Sequence, residues 1–262
     1  MANPLLEVRN VSKSFGQFAA VSGLDLEVAS GEFVSLIGHS GCGKSTLLSM
    51  VAGLTRPTSG AITVDGLPIA GPGPDRAMVF QGNALLPWLS VWGNVYEAVD
   101  SVFPGRLAMQ RAEKRQQVER VLRVVGLWQH KDKRPGELSG GMRQRTAVAR
   151  AFAVAPRLLL LDEPFGALDA LTKGALHEEL LRLWREDPRV ETVLMVTHDI
   201  DEAIYLSDRI VVMSNGPRAT IRQVLEVPLP RPRAKREMLH HPAFAGLKEA
   251  LMDLLAEGEV AA

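Results

Sequence analysis

One short stretch constrains the fold more than any other. Residues 36–46, with the sequence LIGHSGCGKST, join an apolar run to a helical pattern. Gly38 and Gly43 allow the backbone to curl so that its N–H groups point at a polyphosphate. Lys44 places a cation at the β and γ oxygens, and the Ser45 hydroxyl is a suitable ligand for Mg²⁺. An apolar strand, a turn of this kind and a helix in succession predict a phosphate-binding loop.

A glycine-rich turn that only caps a helix is the alternative for this stretch. The spacing of Gly38, Gly43 and Lys44 fits the signature of P-loop nucleotide hydrolases. The strand before the turn and the helix after it make a chance match less frequent. We therefore predict that residues 38–46 bind a nucleotide.

The composition excludes several classes of protein. The 262 residues include 30 Lys plus Arg and 30 Asp plus Glu, so no positive field for nucleic acid is expected. The single cysteine, Cys42, excludes an internal disulfide framework and is typical of a reducing compartment. The N-terminus lacks the pattern of a secretory signal, and the longest apolar run, residues 151–161, is too short and too interrupted to cross a bilayer. We expect a cytosolic protein whose membrane role, if it has one, runs through another subunit.

The segments on either side of the loop predict strands. Residues 5–11 and 24–28 alternate apolar and polar side chains, which indicates a small antiparallel sheet leading to the loop strand. Phe15 lies between them, and its ring either packs in a core or stacks on a flat base. Gln81 follows a predicted strand at residues 77–80. Its amide either faces the ligand crevice, where it contacts Mg²⁺ or water, or is solvated in a loop.

Helical periodicity replaces the strand pattern from residue 85 to about residue 137. Residues 91–102 and 107–125 carry apolar side chains at helical spacing, which predicts a helical insert. Its entrance, LLPWL at residues 85–89, concentrates large apolar groups. These groups form either the core of the insert or a contact surface for a partner helix.

Residues 138–145, LSGGMRQR, form a second candidate anion site directly before the helical run 146–154. Ser139 is a good N-cap, and Gly140 and Gly141 leave the N-terminus of the helix open to close approach. Taken alone, the motif favours a plain helix cap over an anion site.

Two strand ends carry candidate catalytic groups. Four leucines at residues 158–161 predict a parallel strand buried on both faces, and Asp162 and Glu163 follow at its carboxyl end, over the loop. Asp162 would hold Mg²⁺ through its water shell, and Glu163 would orient or deprotonate an attacking water. A strand-terminating turn is the alternative. His198 follows another predicted buried strand, residues 193–197, where we expect it to contact a γ-phosphate rather than decorate the surface.

The remaining segments predict connecting elements. A helix is expected at residues 171–185, and strands at 209–213 and 220–227 close the fold. Residues 228–233 predict a stiff extended linker, and residues 243–255 an amphipathic terminal helix.

Taken in chain order, these motifs resemble the ATP-binding cassette (ABC) ATPases over essentially the whole length. The Ser-Gly-Gly motif, together with a strand that ends in Asp-Glu-Pro, is highly specific to that family. The resemblance implies an α/β fold: a P-loop NTPase (RecA-like) core with an N-terminal antiparallel β subdomain and an inserted helical subdomain. It places the ATP-binding α/β core at residues 1–86 and 139–227, the helical subdomain at 87–138 and a C-terminal extension at 228–262.

The resemblance also implies roles for individual residues. Phe15 matches the aromatic that stacks on adenine. The Walker A contacts to ATP would come from Gly38, His39, Ser40, Gly41, Cys42, Gly43, Lys44, Ser45 and Thr46. The Mg²⁺ ligands would be Ser45, Gln81 and Asp162. The catalytic group would comprise Glu163, His198, Lys44 and Gln81. Contacts to ATP held by a second cassette would come from Ser139, Gly140, Gly141 and Gln144. Asp169 matches the D-loop aspartate of the dimer interface, and Gly166 departs from the serine of many family members.

By this resemblance the protein acts as a pair and uses ATP and Mg²⁺. Each loop leaves one side of the γ-phosphate open, and the signature of a second ATP-binding subunit, identical or different, closes it. ATP then joins the two chains, and its hydrolysis loosens them. The other implied partners are transmembrane permease subunits and, indirectly, a solute-binding protein, at the cytoplasmic side of the bacterial inner (plasma) membrane. No nucleic acid partner is expected.

Further segments narrow the resemblance to one group of importers. Residues 71–76, 85–88 and 165–172 are similar to cytosolic subunits of importers for nitrate, sulfonates and taurine. Residues 214–217, 219–221 and 227–233 look most like the nitrate branch. The implied function is that of the ATP-hydrolysing subunit of a bacterial importer of nitrate or nitrite. Sulfonate or taurine import is the alternative. A soluble ABC ATPase acting on nucleic acid or ribosomes, and a small-molecule phosphotransferase, are rival classes.

Overall fold

The computed structural model describes residues 4–103, 110–166 and 168–256. Contacts divide the chain into two compact units. The first consists of Met1–Gly73 and Thr192–Ala262, and the second of Pro74–Glu191. The first unit therefore contains the predicted phosphate-binding loop and His198. The second contains Gln81, the Ser-Gly-Gly motif and the Asp-Glu pair.

The elements of the described residues follow in chain order. The strands are β1 (Pro4–Phe15), β2 (Phe18–Ala29), β3 (Phe33–Ile37), β4 (Ser59–Val64), β5 (Leu67–Pro68), β6 (Arg76–Val79), β7 (Leu158–Asp162), β8 (Thr192–Val196), β9 (Arg209–Met213) and β10 (Ile221–Glu226). The α-helices are α1 (Lys44–Val51), α2 (Val91–Val102), α3 (Arg111–Val124), α4 (Gly140–Ala153), α5 (Ala170–Glu186), α6 (Ile200–Leu206), α7 (Lys235–His240) and α8 (Pro242–Ala256). Short 3₁₀ turns lie at Trp128–His130 and Pro135–Glu137.

The first unit contains two sets of strands. An antiparallel sheet has the order β2-β1-β4-β5, which confirms the antiparallel sheet predicted before the loop. The other set has the order β10-β9-β3-β8, in which β3 is parallel to both β8 and β9. All residues of β3 and β8 are buried, as a parallel strand covered on both faces requires.

The second unit joins a strand pair to a group of helices. Strands β6 and β7 are parallel, and Val79 lies opposite Leu161. Helices α2, α3 and α4 pack on one another. Helix α2 has the predicted bounds, because Ser90 caps it by accepting a hydrogen bond from the amide of Gly93 at 3.1 Å. Helix α3 begins at Arg111, whereas the predicted helix begins at residue 107; residues 104–109 lie outside the described residues.

Two helices of the first unit were not predicted. Helix α6 begins two residues after His198, and α7 lies between the predicted linker and the terminal helix. Both are short, so hydrophobic periodicity has too few residues to reveal them. The domain boundaries at residues 86/87 and 138/139 stay a prediction. No helix within residues 4–103, 110–166 and 168–256 is long and apolar enough to cross a membrane.

A buried arginine attaches the segment after β10 to the end of α6. The guanidinium of Arg233 donates to the carbonyls of Ile204, Tyr205 and Ser207 at 3.0, 3.1 and 2.6 Å. These carbonyls lie at the end of α6, where a helix leaves its last C=O groups without intrahelical partners. Burial lowers the pKa of Arg233 to about 10, with a further lowering by the nearby charge of Arg231, so the side chain is still cationic at neutral pH.

We expect Arg233→Met to lower the free energy of unfolding by about 2–4 kcal/mol, because it leaves several buried carbonyls without a donor. Urea unfolding of the purified chain measures this loss. Arg236→Met, at an exposed position of α7, is the matched control and should change stability by less than about 0.5 kcal/mol. Equal stabilities of the two variants would contradict the capping role of Arg233.

Candidate functional site

The loop after β3 needs glycine at two positions. Gly43 precedes α1 with φ 89°, and a Cβ there would lie 2.3 Å from Cγ1 of Val21. A Cβ on Gly38 would lie 2.8 Å from the sulfur of Cys42 and 3.1 Å from the carbonyl oxygen of Met213. The loop is therefore packed tightly against β2 and β9, and this packing leaves no room for side chains at either glycine.

Lys44 belongs to the interior of this loop. Its side chain is buried, and Nζ donates to the carbonyl oxygens of Gly38 and His39, both at 2.8 Å. The sulfur of Cys42 lies 3.6 Å from the same Nζ. The cation thus lies inside the ring of backbone that the sequence predicts to surround a polyphosphate. Ser45 is exposed on the first turn of α1, as a metal ligand at that helix end requires.

The same unit brings His198 to the loop's edge of the strands. Strands β3 and β8 are parallel neighbours, so their carboxyl ends meet on one side, and the amide of Thr197 donates to the carbonyl of Leu36 at 3.2 Å. His198 follows directly and is exposed. Asp199 caps α6 by accepting from the amide of Glu202 at 3.1 Å. This cap, which the sequence analysis missed, holds the backbone after His198.

Phe15 does not pack in a core. Its side chain is 53% exposed at the end of β1, and Nζ of Lys13 lies 4.9 Å from the centre of the ring. A cation over one face of an aromatic ring is a favourable contact that leaves the other face open. Of the two alternatives for Phe15, the exposed ring agrees with stacking on a base.

In the second unit, Gln81 and Glu163 lie together. They follow the parallel strands β6 and β7, and Nε2 of Gln81 donates to Oε2 of Glu163 at 2.9 Å. Glu163 has φ 45°, a left-handed backbone that is uncommon for glutamate. Asp162, the last residue of β7, is half-buried. The amide and the two carboxyl groups are therefore placed at one edge of this strand pair.

Arg150, which no sequence motif predicts as a site residue, holds the turn that follows Gln81. Nη1 of Arg150, on α4, donates to the carbonyl of Ala84 at 2.7 Å. Asn83 and Ala84 both have left-handed backbones, with φ 62° and 44°, so the turn after Gln81 needs an external contact to hold it. Burial lowers the pKa of Arg150. An arginine within a helical run carries no sequence signal for such a contact.

The Ser-Gly-Gly motif begins α4 as predicted. Oγ of Ser139 accepts a hydrogen bond from the amide of Met142 at 3.3 Å, and Ser139 and Gly140 are exposed. A Cβ on Gly141 would lie 2.8 Å from Cγ2 of Thr172, on α5. Gly141 therefore allows α4 and α5 to approach each other. The sequence predicts a different role for this glycine, which is to leave the N-terminus of the helix open.

Gln144, which the resemblance assigns to the same contact with ATP of a second cassette, is buried in this chain. Its side chain is 4% exposed, and its Nε2 has no hydrogen-bond partner within the described part of the chain. Gln144 lies more than one helical turn after Ser139, on the side of α4 that faces the interior. Its contact with a nucleotide held by a second chain stays a prediction.

Asp169 caps α5. Its carboxylate accepts from the amide of Thr172 at 3.0 Å and from the Thr172 hydroxyl at 2.7 Å. The hydrogen bond from the Thr172 amide, followed by that from its hydroxyl, lowers the pKa of Asp169. The stabilisation from this cap is thus present above the ordinary pKa of aspartate and is lost as the pH falls through the lowered value. Ala167, in the predicted D-loop, lies outside the described residues.

A family model described as "ABC transporter" matches residues 21–166 of the chain. Among curated proteins, the bicarbonate transport ATP-binding protein CmpC of Synechocystis sp. is 53% identical over 253 residues, which are 95% of this chain and 37% of that protein. The nitrate import ATP-binding protein NrtD of Synechococcus elongatus is 51% identical over 94% of this chain and 89% of its own length. The chain thus spans little more than a third of the length of relatives such as CmpC.

Solved structures give the same fold. A dimeric ATP-binding cassette in a post-hydrolysis state, bound to ADP and Pi, is 31% identical, with a TM-score of 0.74 over 86% of this chain and 100% of that chain. The predicted fold class, an α/β P-loop NTPase core with an antiparallel β subdomain, is therefore confirmed.

We expect Gly141→Ala to destabilise the chain by about 1–3 kcal/mol, the usual cost of overpacking. Thr172 cannot simply rotate away, because its hydroxyl is bonded to Asp169. Gly140→Ala is the matched control one residue earlier, since its Cβ would meet only Cδ2 of Leu168 at 4.0 Å. Urea unfolding should give a wild-type or slightly higher stability for the control. The packing argument is wrong if both variants unfold at the same midpoint.

Proposed function

The chain belongs to the ABC transporter family of ATP-binding proteins, and we propose that it is the ATP-binding and ATP-hydrolysing subunit of a bacterial importer of small anions. The observation that carries the proposal is the loop after β3, in which tightly packed glycines surround the buried cation of Lys44. A loop of this shape at a helix N-terminus favours a polyphosphate.

The proposed chemistry is the attack of water on the γ-phosphorus, in line with the leaving ADP oxygen. Glu163 takes a proton from the water, the bond between the γ-phosphorus and the bridging oxygen breaks, and ADP and phosphate result. Gln81, through its bond to Oε2 of Glu163, orients that carboxylate. Lys44 and His198 stabilise charge on the γ-phosphate, and Phe15 stacks on adenine.

Mg²⁺ fits the proposed donors by chemistry. The described residues contain no group of three His, Cys, Asp or Glu side chains that would hold a metal by themselves. Mg²⁺ is usually bound through only one or two carboxylates together with substrate phosphates, and it keeps several waters. The hydroxyl of Ser45, the carboxylate of Asp162 and the amide oxygen of Gln81 are hard ligands of this kind. When bound, the ion neutralises charge on the β and γ phosphates.

We propose that the chain acts as a pair, with a second copy or a related ATP-binding subunit. Ser139 and Gly140 are exposed at the N-terminus of α4, where the amides of the first turn favour an anion. The surface they form suits the γ-phosphate of ATP on the partner. Asp169 lies at the start of α5, which contacts α4. It is proposed to lie at the same interface.

The entrance of the helical insert suits a permease partner at the cytoplasmic face of the membrane. Asn94 is fully buried, and its amide bonds the backbone of Leu86, Leu89 and Ser90. This network fixes residues 85–89 and leaves Trp88 67% exposed. An exposed tryptophan on a backbone segment held in this way is typical of a protein interface. Of the two alternatives for this segment, we propose the contact surface.

The solute is proposed from kinship. Named relatives near 50% identity import nitrate or transport bicarbonate, and both solutes are small planar monoanions. We propose nitrate or nitrite, with bicarbonate as the candidate that the relatives add. None of the relatives described above carries a sulfonate or taurine name. The chain itself would not contact the solute, so the solute must be tested by transport.

We expect Glu163→Gln to retain ATP binding and to lower ATP turnover about 10²- to 10⁴-fold, because a general base is lost. Steady-state phosphate release from the purified chain or complex measures turnover, and isothermal titration measures binding. Glu178→Gln, at an exposed position of α5, is the control and should hydrolyse ATP as the wild type does. Turnover near the wild-type rate in Glu163→Gln would exclude the assigned base.

Uptake of labelled anions by cells lacking this chain, complemented with wild type or Lys44→Ala, tests the importer. We expect nitrate uptake to return only with wild type, because Lys44→Ala removes the cation from the phosphate site. Labelled bicarbonate and taurine are measured in parallel. Rescue of bicarbonate or taurine alone would replace the solute and keep the mechanism. Normal uptake of all three anions without the chain would contradict the transport function.

A further inference from the structure

A hydrogen bond connects the phosphate-binding loop to helix α8. Nε2 of His39, in the loop, lies 2.9 Å from the carbonyl oxygen of Leu255, in the last turn of α8. A second side chain reaches the same turn, since Nη1 of Arg222, on β10, donates to the carbonyl of Leu254 at 2.8 Å. A helix leaves its last carbonyls without intrahelical partners, and here two side chains from the first unit satisfy them.

The position of this helix end is fixed by packing. Leu251 is fully buried and Phe244 nearly so, and α8 packs on α6 and β9. Lys248 forms an ion pair with Asp201 on α6 at 2.7 Å. Helix α8 is thus attached along its length, and the Leu255 carbonyl is held in place at the loop.

His39 in turn determines the position of Lys44. The backbone carbonyl of His39 accepts one of the hydrogen bonds that hold Nζ of Lys44 in the loop, at 2.8 Å. The same carbonyl accepts the amide of Cys42 at 3.3 Å. A shift of residue 39 therefore moves an acceptor of the lysine and the turn that follows. Holding the His39 ring reduces the freedom that the loop would lose on binding a ligand.

We propose that His39 is a positioning residue of the ATP site, and that the carboxyl end of α8 holds it so that the C-terminal extension raises the affinity of the loop for ATP. The proposal rests on the proposed function of the loop. The competing explanation is that His39 only caps α8. A simple cap would change the stability of the chain and leave the ATP affinity unaltered.

Two independent changes break the contact. His39→Leu removes the donor, and His39→Gln restores an amide N–H at the end of a side chain of similar length. A chain that ends at Asp253 lacks the Leu254 and Leu255 carbonyls but keeps the buried anchors Phe244 and Leu251. A chain that ends at Ala256 keeps both carbonyls and is the matched control. Urea unfolding verifies that each variant is folded.

The affinity of each full or shortened chain for Mg²⁺ and ATP is measured by titration in a Glu163→Gln background, which prevents turnover. We expect His39→Leu and the chain ending at Asp253 each to raise Kd about two- to tenfold, the effect of one hydrogen bond. His39→Gln and the chain ending at Ala256 should bind within about twofold of the parent. The double variant, His39→Leu in the shortened chain, should bind no more weakly than either single variant, since both remove the same contact.

With Glu163 intact, KM for ATP should rise in His39→Leu while kcat stays near the parent value. An unchanged Kd in His39→Leu would overturn the proposal. Additive losses in the double variant would also overturn it, because His39 would then act without α8. Lys44→Ala distinguishes the two levels of inference. If the parent chain binds ATP no better than Lys44→Ala, the proposed function itself fails. If the parent binds and only the His39 effect is missing, the function stands.

Discussion

The burial of β3 is the constraint on which the candidate site depends. All five of its residues, Phe33–Ile37, are buried, and β8 and β9 flank the strand in parallel. Because β3 and β8 are parallel neighbours, both strands end at the same edge of the sheet. The loop after β3 and the end of β8 therefore lie side by side there. The loop then curls over β2 and β9 so tightly that Gly38 and Gly43 accept no side chain. The backbone carbonyls of this loop hold the cation of Lys44 in position.

Local signals in the sequence were sufficient for much of this arrangement. The run of leucines predicted β7, Ser139 predicted the start of α4, and helical spacing gave the bounds of α2, because each depends on neighbours in the chain. Contacts between distant residues were out of reach. The burial of Gln144, the contact of Gly141 with Thr172 and the bond from Arg150 to Ala84 follow from tertiary packing, which periodicity does not encode.

In each unit, side chains without a proposed catalytic or binding role hold the candidate site residues in place. In the second unit, the contacts of Thr172 with Gly141 and Asp169 join the beginnings of α4 and α5, so the proposed dimer surface forms as one piece. In the first unit, Arg233 closes the end of α6 and the Leu255 carbonyl receives the ring of His39. The segment beyond β10, which resembles a simple tail in the sequence, is therefore part of the support of the loop.

At residue 163, the left-handed backbone and the proposed hydrolysis favour different residue types. Glycine or asparagine would adopt φ 45° more readily than glutamate, but neither provides a carboxylate to receive a proton. Stability alone would favour such a replacement at residue 163, whereas the proposed role as general base requires a carboxylate. Stability-guided engineering of this chain should therefore leave residue 163 out of its search, because the most stabilising choices there would remove the proposed base of ATP hydrolysis.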